Sequence, residues 1–151
     1  MRPAPSYGGR AFNLGADDIP MGTTSLGIHQ GKLAPCPERP NCVSSDALDE
    51  DHHVAPFSIS GNPQLVWETL QELVSARPRT KIVKVTSDYL HAVENSRFFG
   101  LKDDLEFHLR PEEGIIAVRS ASRRGFFDLG VNRRRVEMIR ANLKSNEILP
   151  R

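Results

Sequence analysis

The sequence has no long hydrophobic run. Its apolar stretches are short pieces such as residues 115–118, far below the roughly 18 residues of a membrane-spanning helix. Residues 1–32 also lack the continuous apolar segment of about 7–15 residues that defines a signal peptide. We therefore expect no transmembrane segment and a cytoplasmic location for the chain as written. If a targeting segment has been removed, a periplasmic or plastid location fits equally well.

An excess of charge of one sign is also lacking. The 151 residues carry 20 Lys and Arg against 19 Asp and Glu, which gives a formal net charge of +1 at pH 7. A balanced chain does not bind polyanions with its whole surface, so we expect no nucleic-acid partner and only local basic character. The length is sufficient for one domain with a single ordinary core.

The motifs of several common enzyme classes are absent. There is no G-x-S-x-G nucleophile elbow, no Walker loop, no G-x-G-x-x-G and no Cys-x-x-Cys pair. The histidines His52, His53, His91 and His108 are scattered, and each fits a surface or satisfied polar residue better than a ligand. An enzyme is therefore unsupported, and we predict no catalytic residue, no metal and no cofactor.

Cysteine is scarce, with only Cys36 and Cys42 present and two prolines among the five residues between them. A disulfide would close this short loop and contribute about 2–2.5 kcal/mol at most on the chain-entropy model. Reduced thiols are the second interpretation. A metal site that recruits His52 and His53 is the third, but adjacent strand residues point to opposite faces and make a poor ligand pair.

The composition divides the chain into three parts. Residues 1–32 are rich in Gly, Pro, Ser and Thr without periodicity, which predicts an extended or disordered arm. Residues 33–146 are predicted to form a single α+β domain, and residues 147–151 a tail. The arm contains scattered apolar residues that could dock on a partner, so a larger assembly held by residues 1–32 is one alternative.

The domain is predicted to follow the order β-α-β-β-β-β-α. Strand patterns occupy residues 53–60, 82–85, 89–94, 104–110 and 115–121, and Asn62 with Pro63 are typical of a helix start. The last helix carries an apolar stripe of Val136, Ile139 and Leu143. This order predicts an antiparallel sheet of about five strands with two helices packed on it.

A four-residue turn at 111–114 fixes the register of one predicted hairpin. It places Glu106 opposite Arg119 and Asp104 opposite Ala121, with Asp104 also near Arg123. The acidic residues 103–106 would then form ion pairs with the next strand. Exposed pairs of this kind contribute roughly 0–1 kcal/mol each.

Seven arginines lie within residues 118–140. Three of them fall in or before the first turn of the last helix, where the helix macrodipole disfavours cations. Asp128 and Glu137 are the obvious acidic neighbours, so we expect at least one arginine to seek an anion, with an internal latch to Asp128 or Asp103 as the alternative. The candidate ligand-binding residues are Arg119, Arg123, Asn132, Arg133, Arg134 and Arg135.

Several segments of the chain resemble a family of proteins of unknown function, domain-of-unknown-function family fourteen-ninety-nine. They are CPERPNCVSS at 36–45, DDLEF at 103–107, RSASR at 119–123 and DLGVNR at 128–133. The resemblance covers residue 31 to about residue 143. It implies a small α+β domain without established activity, in a family whose members are often exported, lipid-anchored or plastid-targeted. It supplies no catalytic residue.

These observations favour a non-enzymatic binding or accessory module. Its arginine-lined site at the start of the last helix would take a small anionic ligand or an acidic protein segment. The first alternative is a small hydrolase-like enzyme that uses Asp103, His108 and the arginines on an anionic substrate. The second is a structural subunit of a larger assembly.

Overall fold

The computed structural model describes residues 26–97 and 100–146. The expected tail and most of the expected arm lie outside these residues, so the limits of the domain stay a prediction. Over these described residues the secondary structure comprises eight strands, two α-helices and one 3-10 turn: β1 (Ile28–His29), β2 (Lys32–Leu33), β3 (Cys42–Ser44), β4 (Phe57–Ser58), α1 (Pro63–Ser75), β5 (Thr80–Val85), β6 (Tyr89–Asn95), β7 (Lys102–Arg110), the 3-10 turn (Pro111–Glu113), β8 (Ile115–Ser122) and α2 (Val131–Ser145).

The central sheet is antiparallel, with strand order β3-β8-β7-β6-β5 and β4 also paired to β8. The predicted α+β class is confirmed. The first predicted strand was too long, because only Phe57–Ser58 of residues 53–60 pair with β8. The strands β1, β2 and β3 were missed because two or three residues are too few for an alternating pattern.

Helix α1 begins as the sequence predicts. The side chain of Asn62 accepts hydrogen bonds from the backbone N–H groups of Gln64 and Leu65, and Pro63 is the first helical residue. The apolar stripe of α1 comprises four buried residues, Val66, Trp67, Leu70 and Val74. The helix packs its stripe into the main core with strand residues such as Leu90, Leu105, Phe107 and Ile116.

The predicted register of the β7–β8 hairpin is confirmed. Glu106 is paired with Arg119, and Asp104 with Ala121. The turn is the short 3-10 helix, and Gly114 completes it with a φ of 67°, a conformation that glycine adopts without steric cost. Leu105, Phe107 and Leu109 therefore face the core, while the residues between them face the other side of the sheet.

The start of helix α2 combines a glycine at the N-cap position with a carboxylate from the preceding loop. The N-cap is Gly130, at a φ of 78°. The Asp128 carboxylate still satisfies the helix start, because it accepts hydrogen bonds from the backbone N–H groups of Gly130 at 2.8 Å and Asn132 at 3.2 Å. The apolar stripe of α2 is buried as predicted.

Candidate functional site

The face of the sheet that points away from the helices, here called the outer face, holds a buried pair of opposite charges. Glu106 is 0% exposed and Arg119 is 2% exposed, and their side chains lie 3.1 Å apart. The Tyr89 hydroxyl donates a hydrogen bond to Glu106 Oε1 at 2.6 Å. Burial and the Glu106 carboxylate raise the pKa of Tyr89, so this phenol stays protonated and acts as a donor.

Asp104 is the centre of a second group on the outer face. Its carboxylate lies 2.7 Å from His91 Nε2 and accepts two hydrogen bonds from Arg123 at 2.9 Å. Burial raises the pKa of Asp104, but the hydrogen bonds from His91 and Arg123 outweigh it and hold the pKa below its usual value. Asp104 is therefore ionised at neutral pH and serves as a charge partner.

The third group joins Arg110 to Asp46 and His108. Arg110 donates to the Asp46 carboxylate through Nη1 at 2.9 Å and also through Nη2, and its Nε donates to His108 Nδ1 at 2.9 Å. Burial and the neighbouring guanidinium lower the pKa of His108. Asp103 and His108 are an odd number of positions apart on β7, so their side chains point to opposite faces of the sheet. These two residues of the enzyme alternative are therefore not in contact.

The expectation that the hairpin ion pairs are exposed was wrong. Residues 26–35, most of which belong to the expected arm, lie over part of the outer face. The Gly27 N–H donates to Glu106 at 2.7 Å, Arg119 donates to the Pro35 carbonyl at 3.4 Å, and Leu33 is buried beside Tyr89. The contribution of an ion pair to stability depends on its geometry far more when the pair is removed from water than when it is exposed.

Arg135 belongs to α2, and its side chain lies between that helix and the other face of the sheet. It is 5% exposed, and its guanidinium contacts Asp103 at 2.6 Å and Glu94 at 3.0 Å. Arg77, which follows α1, contacts the same Glu94 carboxylate at 3.1 Å. Burial raises the pKa of Asp103 despite the nearby Arg135 guanidinium. The network ties both helices to β6 and β7.

The side chain of Asn132 also forms its hydrogen bonds within the protein. It is fully buried, and its Oδ1 accepts a hydrogen bond from the Ser120 hydroxyl at 2.7 Å. Its Nδ2 donates to the Asn41 carbonyl at 3.1 Å and to Asp128 at 2.8 Å. Through these bonds Asn132 joins α2 to β8 and to the residue that precedes β3.

Arg133 and Arg134 are exposed and donate to backbone carbonyls. Arg133 bonds to the carbonyls of Asp51 at 3.1 Å and His53 at 2.9 Å, while Arg134 bonds to that of Leu129 at 2.8 Å. Glu137, which the sequence offered as an acidic neighbour of these arginines, pairs with Arg140 at 3.0 Å.

The six predicted ligand-binding residues do not gather in one place. Arg119 and Arg123 belong to the outer face, whereas the side chains of Asn132 and Arg135 lie between α2 and the sheet. Arg133 and Arg134 alone among the six present exposed side chains. Ligand binding by any of the six stays a prediction.

The cysteines form a disulfide. Cys36 and Cys42 have a Cα–Cα separation of 5.7 Å and an S–S distance of 2.04 Å. The bond ties the end of the segment that covers Arg119 to strand β3.

Among residues 26–97 and 100–146, no cluster of three or more His, Cys, Asp or Glu side chains could hold a metal ion. Within the same residues, neither helix is long and apolar enough to cross a membrane.

One surface was missed by the sequence analysis. Residues 124–131, here called the apolar loop, comprise most of the connection between β8 and α2 together with the first residue of α2, and they present large hydrophobic side chains to solvent. The exposed fractions are 55% for Phe126, 73% for Phe127, 86% for Leu129 and 40% for Val131. The two phenylalanine rings contact each other edge to face, with centroids 4.7 Å apart.

The base of the apolar loop is firmly held. Asn41 Nδ2 donates to the Gly125 carbonyl at 2.7 Å, and Arg39 donates to the same oxygen at 3.3 Å. Asp128 bonds into the start of α2, as described above. Leu129 adopts a φ of 54°, an uncommon conformation for a residue with a branched side chain. The loop thus holds an exposed leucine in a conformation that is locally unfavourable.

Sequence signals for this surface existed but were ambiguous. Phe126 and Phe127 are adjacent and belong to neither the alternating pattern of β8 nor the apolar stripe of α2. Two adjacent aromatic residues in a loop between two elements are either buried in the core or exposed on the surface. Periodicity does not separate the two outcomes.

The fold and these networks define a small α+β domain in which an antiparallel sheet carries helices on one face and buried ion pairs on both. The family model described as "Protein of unknown function (DUF1499)" matches residues 32–143. The chain therefore belongs to the DUF1499 family, and the resemblance noted in the sequence is confirmed. No curated protein and no solved structure matches the chain.

Proposed function

We propose that the protein is a non-enzymatic binding module that holds an anionic partner on the apolar loop and on the arginines around it. The observation that carries this proposal is the exposure of four large hydrophobic side chains on a loop with a fixed base. Exposed apolar patches that are rimmed by polar residues mark interaction sites in soluble domains.

The charge around the loop favours a negatively charged partner. Arg124 and Arg134 are exposed, and Arg39 reaches the loop at Gly125. The single acidic residue of the loop, Asp128, directs both carboxylate oxygens to backbone N–H groups of the helix start. The Asp128 carboxylate is therefore engaged by the start of α2, and three arginines against this one carboxylate leave the rim of the surface with a net positive charge.

The buried arginines support the fold rather than this site. Arg119 and Arg135 have carboxylate partners inside the protein, so recruitment of either by a ligand requires the loss of a buried ion pair. Arg133 connects α2 to the carbonyls of Asp51 and His53, beside an exposed acidic turn at 49–51. We therefore assign the binding contribution to Arg39, Arg124 and Arg134.

A defined probe tests the proposal. A labelled synthetic peptide that combines glutamates with leucines offers both negative charge and apolar side chains, and its affinity can be measured by fluorescence anisotropy. The Phe126→Ser/Phe127→Ser variant should bind such a partner at least tenfold more weakly, a difference of about 1.4 kcal/mol. The Arg124→Gln/Arg134→Gln variant should lose most of the dependence on salt.

Matched controls come from strand β5. Val83 and Val85 are exposed apolar residues, and Lys81 and Lys84 are exposed cations, so Val83→Ser/Val85→Ser and Lys81→Gln/Lys84→Gln should leave binding unchanged. The proposal is wrong if the wild type binds neither this peptide nor anionic vesicles. It is also wrong if the loop variants bind as tightly as the wild type does.

A further inference from the structure

We infer that the partner of the apolar loop is the surface of an anionic lipid bilayer, with the phenylalanines inserted among the lipid headgroups. The inference rests on the proposed function and names its partner. It follows from the shape of the loop, from the distribution of charge around the hydrophobic residues and from the rigidity of the loop base.

The hydrophobic residues project from the protein. Phe127 and Leu129 are 73% and 86% exposed, so most of each side chain lies clear of the domain. Peptide partners are commonly held in apolar or aromatic-lined grooves or along a sheet edge, and the tip of the apolar loop is neither. A projecting apolar tip instead fits a soft surface into which it can sink, such as the boundary between headgroups and acyl chains.

The arginines stand where lipid phosphates would lie. Arg124 precedes the aromatic pair, Arg134 bonds to the Leu129 carbonyl and Arg39 bonds to the Gly125 carbonyl. They therefore flank the apolar tip. Guanidinium groups bind phosphate through paired hydrogen bonds, and basic residues at a membrane surface are attracted by anionic lipids. Helices that lie on a membrane combine the same residue types, with Lys and Arg on one face and Trp, Phe or Leu on the other.

The loop needs little ordering before it inserts. Asn41, itself fully buried, fixes the Gly125 carbonyl, while Asp128 fixes the other end at the start of α2. The edge-to-face contact of Phe126 with Phe127 keeps the two rings together. A surface that is already formed binds without a large loss of conformational freedom.

Co-sedimentation with vesicles tests this inference. Vesicles of phosphatidylcholine alone are compared with vesicles in which a third of the lipid is phosphatidylglycerol, at low and at high salt. The wild type should bind the anionic vesicles at least tenfold more tightly and release them at high salt. Phe126→Ser/Phe127→Ser should reduce vesicle binding at least tenfold, and Val83→Ser/Val85→Ser should not change it.

Insertion has its own readout. In a Phe127→Trp variant, brominated lipids should quench the new indole, whereas Trp67, which is 1% exposed, should be unaffected in the wild type. Binding of the glutamate–leucine peptide without binding of vesicles overturns the inference and leaves the proposed function standing. Binding of neither overturns both. A dimer in sedimentation that Phe126→Ser/Phe127→Ser abolishes also overturns the inference, because the loop would then be covered by a second copy.

Discussion

On the sheet, charged side chains are buried against partners of opposite charge, whereas on the apolar loop large hydrophobic side chains lie in solvent. Arg134 and Arg135 show the contrast between consecutive residues. Arg135 contacts two carboxylates beneath α2, and Arg134 is exposed beside the loop. The arginines that lie close together in this sequence therefore do not form a single binding site in the structure. Burial separates the arginines that hold the fold from those available to a partner.

The largest expected effect comes from this adjacent pair. Arg135→Gln leaves Asp103 and Glu94 with less compensating charge in a buried place, and loss of one member of such a pair costs about 3–5 kcal/mol. Arg134→Gln should stay within about 0.5 kcal/mol of the wild type, as most surface substitutions do. Urea denaturation of the two variants measures both values. Equal destabilisation would remove the distinction between structural and available arginines.

A smaller effect is expected from the disulfide. Cys36→Ser/Cys42→Ser removes a short covalent loop, which costs about 2 kcal/mol or less because the loop is small and contains prolines. The same variant frees the segment that ends over Arg119. Hydrogen exchange should increase at residues 26–35 more than at the apolar loop. A uniform increase over both regions would show that the disulfide does not act locally.

The smallest effect concerns acid pH. The pKa values of Asp104 and Asp46 are lowered in the folded protein, so these carboxylates stabilise it above their unfolded pKa of about 3.9 and lose that contribution as the pH falls through the folded values. Unfolding free energy should therefore decrease between about pH 5 and about pH 2. The raised pKa of Asp103 acts in the opposite direction.

The variant Asp104→Asn isolates one part of this pH dependence. Its unfolding free energy should fall less steeply than that of the wild type over the same acid range, whatever its stability at neutral pH. Denaturation curves at several pH values give the two slopes. A slope that Asp104→Asn leaves unchanged would mean that the His91–Asp104–Arg123 group does not contribute.

Much of the fold was predictable from local patterns. The Asn62-Pro63 helix start, the alternation in β7 and the four-residue turn are short-range signals, and together they fixed the hairpin register correctly. The burial of Glu106 and Arg119 was not predictable in this way, because residues far away in the chain cover them. Distant contacts also decide the environment of Arg135 and the position of Asn132 at the centre of a buried network.

The candidate site was the hardest feature to predict. Its arginines could be recognised as a group, but their division between two faces and a loop depends on tertiary structure. The exposure of Phe126 and Phe127 runs against the general tendency of aromatic residues to be buried. The exposure of the two phenylalanines can be recognised only from the structure, in which the core forms without either of them.

Hydrogen–deuterium exchange of the wild-type protein, with and without anionic vesicles and separately with the glutamate–leucine peptide, tests the central claim most directly. With at least one of the two probes, residues 124–131 should gain protection while the amides of β6, β7 and β8 remain unchanged. Protection elsewhere on the protein, with the apolar loop still exchanging freely in the bound state, would contradict the account.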